Sequence, residues 1–491
     1  MAAIENRVTV KKHEVTKVTP FVNPNSKTTS FTLDLTYFDF FWFKNPPVER
    51  LFFYEMTDLT WDLFNSEILP KLKHSLSLTL LHYLPLAGHI TWPLDAAKPA
   101  VYYFPDQNDG VSFAVAEWSS ESHAGFHHLS GNGIRQAVEF HPLVPQLSIT
   151  DDKAEVIAIQ ITLFPNQGFS IGVSSHHAIL DGKTSTLFLK SWAYLCKQLQ
   201  LCHHPCLSPE LTPLLDRTVI KDPTGQDMLQ LNKWVIGSDN SDPQKIRSLK
   251  VLPFLDSESL NKLVRATFEL TREDITKLRH KVNHQLSKSS KSKQVHLSTF
   301  VLTLAYVFVC MAKAKLAKAK TEAEAAADND EIKNIIVGFT ADYSSRLDPP
   351  IPLNYFGNCN GRHCETAKAS DFVQENGVAF VAEMLSDMVK GIDADAIEAN
   401  DDKVSEILEI LKEGAIIFSV AGSTQFDVYG SDFGWGRPKK VEIVSIDRTQ
   451  AISLAERRDG GGGVEVGVVL EKQQMEVFES LFADGLKNDL V

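Results

Sequence analysis

Between residues 157 and 199 the apolar spacing of the chain changes from every second residue to every third or fourth, which limits the fold more than any other feature. Ile157, Ile159, Ile161 and Leu163 alternate as in a half-buried strand. Pro165-Asn166-Gln167-Gly168 supplies tight-turn residues, and Phe169, Ile171 and Val173 continue as a returning strand. From Lys183 onward Phe188, Trp192, Leu195, Cys196 and Leu199 fall on one helix face. Ser175-His176-His177-Ala178-Ile179-Leu180-Asp181-Gly182 lies at the switch, so two histidines sit where a strand ends and a helix begins. A cleft can form at such a place.

The rest of the chain extends this mixed α/β pattern. Phe31, Leu33 and Leu35 alternate as a strand, and Phe64, Ile68, Leu72, Leu76 and Leu80 recur as a helix kinked or restarted at Pro70. Prolines 205, 209, 213 and 223 interrupt any regular element between about Cys202 and Ser241. We therefore expect domains at 1–205 and 241–491 joined by a crossover at 206–240. In the second half a strand is expected at Ile335-Ile336-Val337. The Ala-rich, acidic run from Thr321 to Glu331 reads as a solvated loop before it. The end reads as a hairpin with arms Val441–Ser445 and Val464–Leu470, Ile452–Leu454 lying between, and Gly460–Gly463 as its loop.

Composition narrows the function. A formal charge of −13 argues against broad binding to nucleic acid. The longest apolar run, Leu297 to Ala312, is shorter than the ~20 residues of a membrane span and contains Ser298, Thr299 and Thr303. The six cysteines read as free thiols. A cytoplasmic monomer with no membrane or nucleic-acid partner is expected.

His177 is the sharpest candidate for chemistry. Imidazole accepts and donates protons near neutrality, and a carboxylate four residues later, Asp181, can fix the turn or orient the ring. His176 reads as structural. Gly168-Phe169-Ser170-Ile171-Gly172 has the residues of a serine-hydrolase elbow, but the turn precedes it and Ser170 falls inside a strand. Cys202-His203-His204-Pro205-Cys206 is poorly spaced for a tetrahedral metal site, and no metal is expected. From Ile275 to Thr321 there are ten basic residues and no acidic one. Within that stretch Ser298 and Thr299 open the apolar helix Phe300–Met311 near Lys291 and Lys293, a suitable place for the phosphates of a phosphate-bearing donor. Asn354–Cys359 and Asp432–Gly436 set glycines beside large aromatics and read as architecture.

Taken together these segments resemble the plant BAHD acyltransferases. His177-Ala-Ile-Leu-Asp181-Gly182 is similar to the family's HxxxDG motif, and Asp432-Phe433-Gly434-Trp435-Gly436 to its DFGWG motif. Leu84-Pro85-Leu86-Ala87-Gly88 resembles its LPLAG segment, and Tyr355-Phe356-Gly357-Asn358-Cys359 the YFGNC motif of the clade acylating anthocyanins and other phenolic glycosides. The resemblance spans essentially the whole chain. It implies two chloramphenicol-acetyltransferase-like domains of mixed sheet and helices, joined by a crossover loop, with a tunnel between them. It also implies an acyl-CoA-dependent O-acyltransferase working in a ternary complex, with His177 as general base and Asp432 in a supporting role.

By the same resemblance, Asp181 and Gly182 hold the His177 loop, Asp181 pairing with an arginine. The family's Asp-x-Arg is replaced by Asp342-Tyr343-Ser344, so Arg346 becomes the nearest candidate for that pair. The acyl group is expected to be malonyl in preference to hydroxycinnamoyl, with Lys183 or an arginine meeting its carboxylate. The acceptor is a sugar hydroxyl of a flavonoid, anthocyanin or other phenolic glycoside. Acyl-CoA is a co-substrate and no cofactor is permanently bound. The alternatives are a different alcohol or amine acceptor, a serine hydrolase using Ser170, or a catalytically silent binding module.

Overall fold

The computed structural model describes residues 9–21, 29–119, 125–201, 205–236, 247–252, 255–288, 294–326, 332–392, 407 and 409–487. Two main sheets organise the chain, and each borrows an edge strand from the other half. The first runs Thr9–Val18, Val111–Ser119, Ile157–Phe164, Gly168–Ser175, Val48–Glu55, Lys440–Ile443. The second runs Val420–Gly422, Ile452–Glu456, Val464–Glu471, Leu263–Leu270, Arg135–Gln136. Strand exchange covers an otherwise open edge on both sides. Smaller sheets of four strands in the first half and three in the second complete the expected mixed α/β, two-half architecture.

The alternating segments fold as their spacing predicts. Ile157–Phe164 and Gly168–Ser175 form a hairpin, and the Gly182–Gln198 helix follows. Trp192 and Phe188 of that helix share a core with Leu72 and Leu76 and with Ile159, Ile161 and Phe169 of the sheet. Pro70 sits in the first turn of the Leu69–Thr79 helix, entered through a π-helical turn at Phe64–Ile68, so the helix restarts there.

Four expectations change. Lys440–Ile443 is a strand, but it does not pair with Val464–Glu471; it pairs with Val48–Glu55 of the first half, Lys440 opposite Phe53 and Ile443 opposite Arg50. Periodicity identifies a strand but not which open edge it meets. The C-terminal hairpin is instead Ile452–Glu456 against Val464–Glu471, closed by the glycine loop. The Thr321–Glu331 run is helical as far as Ala326, because Ala and Glu favour helix; residues 327–331 lie outside the described set. The crossover contains a helix, Gln226–Ile236, that begins after its last proline.

The Thr299–Ala326 helix is long and apolar enough over Thr299–Ala319 to cross a membrane, yet most of that stretch is buried in the protein. Val301, Leu302, Leu304, Ala305 and Phe308 pack in the second core with Ile335, Val337, Val466 and Phe478. Its apolarity is accounted for by that packing.

Candidate active site

Asp181 is the N-cap of the Gly182–Gln198 helix. Its backbone is extended and its Oδ1 accepts from the Thr184 amide at 2.7 Å, which sets the carboxylate one turn beyond His177. Oδ2 accepts from Asn360 Nδ2 at 3.0 Å, while Asn360 Oδ1 accepts from Trp42 Nε1 at 2.9 Å. An indole N–H only donates, so the Asn360 oxygen must face Trp42 and its nitrogen Asp181. Trp42 then lies flat on His177, ring centroids 4.2 Å apart and planes 5° from parallel. Asp181 thus reaches the face of the imidazole through Asn360 and Trp42. Burial raises the Asp181 carboxyl, against the Thr184 hydrogen bonds that lower it.

A second set of contacts holds the backbone of the turn. Asn358 Nδ2 donates to the His177 carbonyl at 3.1 Å and to Asp39 Oδ1 at 3.0 Å, and the Asn358 amide donates to Asp39 Oδ1 at 3.1 Å. Asp39 is also 3.5 Å from the Arg217 guanidinium, which comes from the crossover and donates to the Tyr355 hydroxyl at 2.7 Å. Gly357 has φ +139°, and a Cβ there would overlap that guanidinium, so only glycine allows the approach. Thr184 Oγ1 donates to the Gly357 carbonyl at 3.0 Å. The Tyr355–Cys359 segment is therefore a clasp behind His177.

The imidazole itself is lightly bonded. Among the described residues neither ring nitrogen has a hydrogen-bond partner; Nδ1 is buried, whereas Nε2 is not sealed. The residue is half-buried, so solvent reaches it. Burial lowers its pKa to about 4, with Arg362 and Arg50 adding to the effect and its own main-chain carbonyl opposing it. At neutral pH the ring is uncharged and free to take a proton at Nε2. His176 is buried, its pKa lowered to about 3 by burial, and its Nδ1 accepts from the Ala178 amide at 3.3 Å, a structural position.

Ser170 lies mid-strand between Thr162 and Phe53, fully buried, with its hydroxyl unpartnered. It has neither the turn nor the access of a hydrolase nucleophile. Arg346 does not complete the expected ion pair: it donates to the Asp342 carbonyl at 2.5 Å. Among the described residues no basic group lies within ion-pair distance of Asp181, and Asn360 takes that place. The Asp342 carboxylate lies 3.6 Å from Lys183, which also donates to Ser344 Oγ at 3.4 Å. Gly182 opens the helix, and its carbonyl accepts from Arg50 Nη2 at 3.3 Å.

Asp432 is held at the other end of that helix. Its Oδ1 accepts from the amides of Gly434 and Gly436 at 2.8 and 2.9 Å, and its Oδ2 from Lys197 Nζ at 2.7 Å. Burial raises this carboxyl, but Lys197 and the two amides outweigh it and hold it below its ordinary value. Lys197 is in the last turn of the helix that Asp181 begins, roughly 24 Å along the axis from the His177 turn at about 1.5 Å per residue. Asp432 therefore anchors the loop that carries Phe433 and Trp435. Phe433 is buried edge-on against Trp192 and Tyr54, and Trp435 edge-on against Phe169. Gly434, at φ +102°, faces the Gln200 side chain where a Cβ would collide.

Ser298 Oγ accepts from the Val301 amide at 3.2 Å at the start of the long helix, beside Thr299. Lys291, Lys293 and Cys202–His204 lie outside the described residues. Sequence reasoning missed Trp42, Asn358 and Asn360 as parts of the site. The signal for Trp42 was the aromatic density of Tyr37–Phe43; for Asn358 it was a motif already singled out but read only as packing.

The Transferase family model matches residues 8–484. The chain is 45% identical over 478 residues to the malonyl-CoA:anthocyanidin 5-O-glucoside-6''-O-malonyltransferase of Arabidopsis thaliana, covering 96% of this chain and 98% of that protein. It is 44% identical over 496 residues to phenolic glucoside malonyltransferase 1 of Arabidopsis thaliana, covering 99% of both. Among solved structures it resembles vinorine synthase, with a TM-score of 0.67, 20% identity, and coverage of 96% of this chain and 98% of that one.

Proposed function

This chain belongs to the transferase family of the BAHD acyltransferases, and on that premise we propose that it moves malonyl from malonyl-CoA to a sugar hydroxyl of an anthocyanin or related phenolic glucoside. The observation that carries the chemistry is the neutral His177 ring, braced on one face by Trp42, with Nε2 open. The names of the two Arabidopsis relatives support the donor and the acceptor class.

The acceptor hydroxyl donates to Nε2. As Nε2 removes its proton, the oxygen attacks the thioester carbonyl, and the new C–O bond forms as the C–S bond breaks. The imidazolium then returns the proton to the CoA sulfur, so His177 ends as it began. The bound alcohol is the nucleophile, and no acyl-enzyme is required. A depressed pKa makes the ring a weaker base and its conjugate acid a stronger one, which favours the second transfer. The CoA phosphates belong at the start of the Thr299–Ala326 helix, where Ser298 accepts from a backbone amide and keeps its own O–H to donate. Lys291 and Lys293 supply charge from the adjoining sequence.

The test is incubation with malonyl-CoA and matched glucosides and aglycones, with products identified by mass. Equal formation of free CoA and a malonyl ester on the sugar is expected with glucosides alone. Acceptor-independent CoA release, or acylation of aglycones in preference to glucosides, would refute the reading.

A further inference from the structure

Arg362 lies on the Asn360–Lys368 strand, three residues beyond the end of the Tyr355–Cys359 clasp. Its guanidinium carbon is 4.5 Å from the centroid of Trp42, the same indole that stacks on His177. It is thus no more than two stacking distances from the imidazole. The side chain is reached by solvent, yet burial is the first influence on its charge, and that influence lowers its pKa.

Of the four buried arginines among the described residues, Arg50 bonds the Thr186 hydroxyl and the Gly182 carbonyl, and the other three each have an acid. Arg217 faces Asp39, Arg135 faces Glu442, and Arg265 faces Glu442 and Asp447. Arg362 differs: among the described residues its hydrogen bond is to the neutral Asn45 Oδ1 at 2.9 Å, and no carboxylate lies within ion-pair distance. Lys183, the cation next to the helix start, is already beside Asp342. A malonyl thioester carries its free carboxylate one methylene from the carbonyl that is attacked. When that carbonyl meets an alcohol held on His177 Nε2, the carboxylate lies within a few bond lengths, and the planar guanidinium fork matches it.

We propose that Arg362 receives the free carboxylate of the malonyl group and thereby selects carboxylated over neutral acyl donors. This inference rests on the proposed malonyl transfer at His177. The bound carboxylate would also offset the guanidinium charge that disfavours a protonated His177.

Binding of malonyl-CoA and acetyl-CoA to the full chain and to Arg362→Gln, followed by calorimetry, tests it without needing an acceptor. The wild-type protein is expected to prefer malonyl-CoA, and Arg362→Gln to lose about 10- to 100-fold in malonyl-CoA affinity while acetyl-CoA affinity changes far less. Arg362→Lys should recover part of the preference, since it restores charge but not the fork. Equal affinities in the wild type, an unchanged preference in Arg362→Gln, or equal losses for both donors would each overturn the inference. If the preference depends on Arg362 but no glucoside is malonylated, the proposed function fails and the inference stands. If glucosides are malonylated with a malonyl-to-acetyl preference indifferent to Arg362, the reverse holds.

Discussion

Around Glu442 each charge is matched. Its two oxygens accept from Arg135 Nη1 at 2.9 Å and Arg265 Nη2 at 2.8 Å, while Arg265 also reaches Asp447 at 3.1 Å and His141 approaches Asp447 at 3.0 Å. Nearby, Lys440 and Tyr429 both bond Glu465. Burial pushes the Glu442 carboxyl up, yet the two guanidiniums outweigh it and keep it ionised. Around His177 the rule is reversed: among the described residues no side chain hydrogen-bonds the imidazole, its Nδ1 is an orphan, and the nearby Arg362 has no acid within ion-pair distance. The first cluster lies where the halves exchange strands and saturates its charges to fix that exchange. The second is held by stacking and by neutral amides, which orient the ring without occupying the nitrogen that must react.

The contrast can be broken from either side. The largest effect is expected for Glu442→Gln, which leaves two buried guanidiniums short of an anion: a loss of about 3–5 kcal/mol in unfolding free energy, read from denaturant midpoints. The turnover of the folded fraction should change little; a turnover collapse with an unshifted midpoint would mean that the cluster belongs to the chemistry. His177→Ala comes next, with turnover lowered by about 100-fold or more and an unfolding midpoint shifted far less than by Glu442→Gln. Near-full activity in that folded variant would remove His177 from the reaction.

The smallest effect is one of pH. His177 works as the free base, so kcat/KM should fall on the acid side near its lowered pKa of about 4, well below the ordinary 6.5. Stability follows the same groups. Between pH 6.5 and about 4 the unfolded chain binds protons at His176 and His177 that the folded chain excludes, so stability is lost as pH falls through that window. An acid limb at pH 6.5 would show a ring as exposed as a free histidine.

Much of the frame could be read before folding. The His177 hairpin and helix were legible because alternate and 3.6-residue spacings describe one element at a time. Spacing alone did not identify the partners of two segments. Val441 had the spacing of a strand, but its mate, Val48–Glu55, lies almost four hundred residues away. Asp432, read as architecture with a supporting role implied by resemblance, places its carboxylate on two glycine amides and Lys197 at the far end of the helix. The Asp181 arginine was sought by family spacing and proved to be an asparagine, since an amide with a donor at one end and an acceptor at the other can join a carboxylate to an indole.

The linear order of residues determined the strand, turn and helix around His177, the two halves, and the membership in an acyltransferase family. Only the tertiary structure decided that Asn360 and Trp42 orient the ring, that Asn358 holds its backbone, and that Arg362 stands beside them with no acid within ion-pair distance among the described residues. The reason is physical: periodicity encodes which side of an element turns inward, but stacking, hydrogen bonding and charge pairing depend on distances between residues that the chain brings together across hundreds of positions.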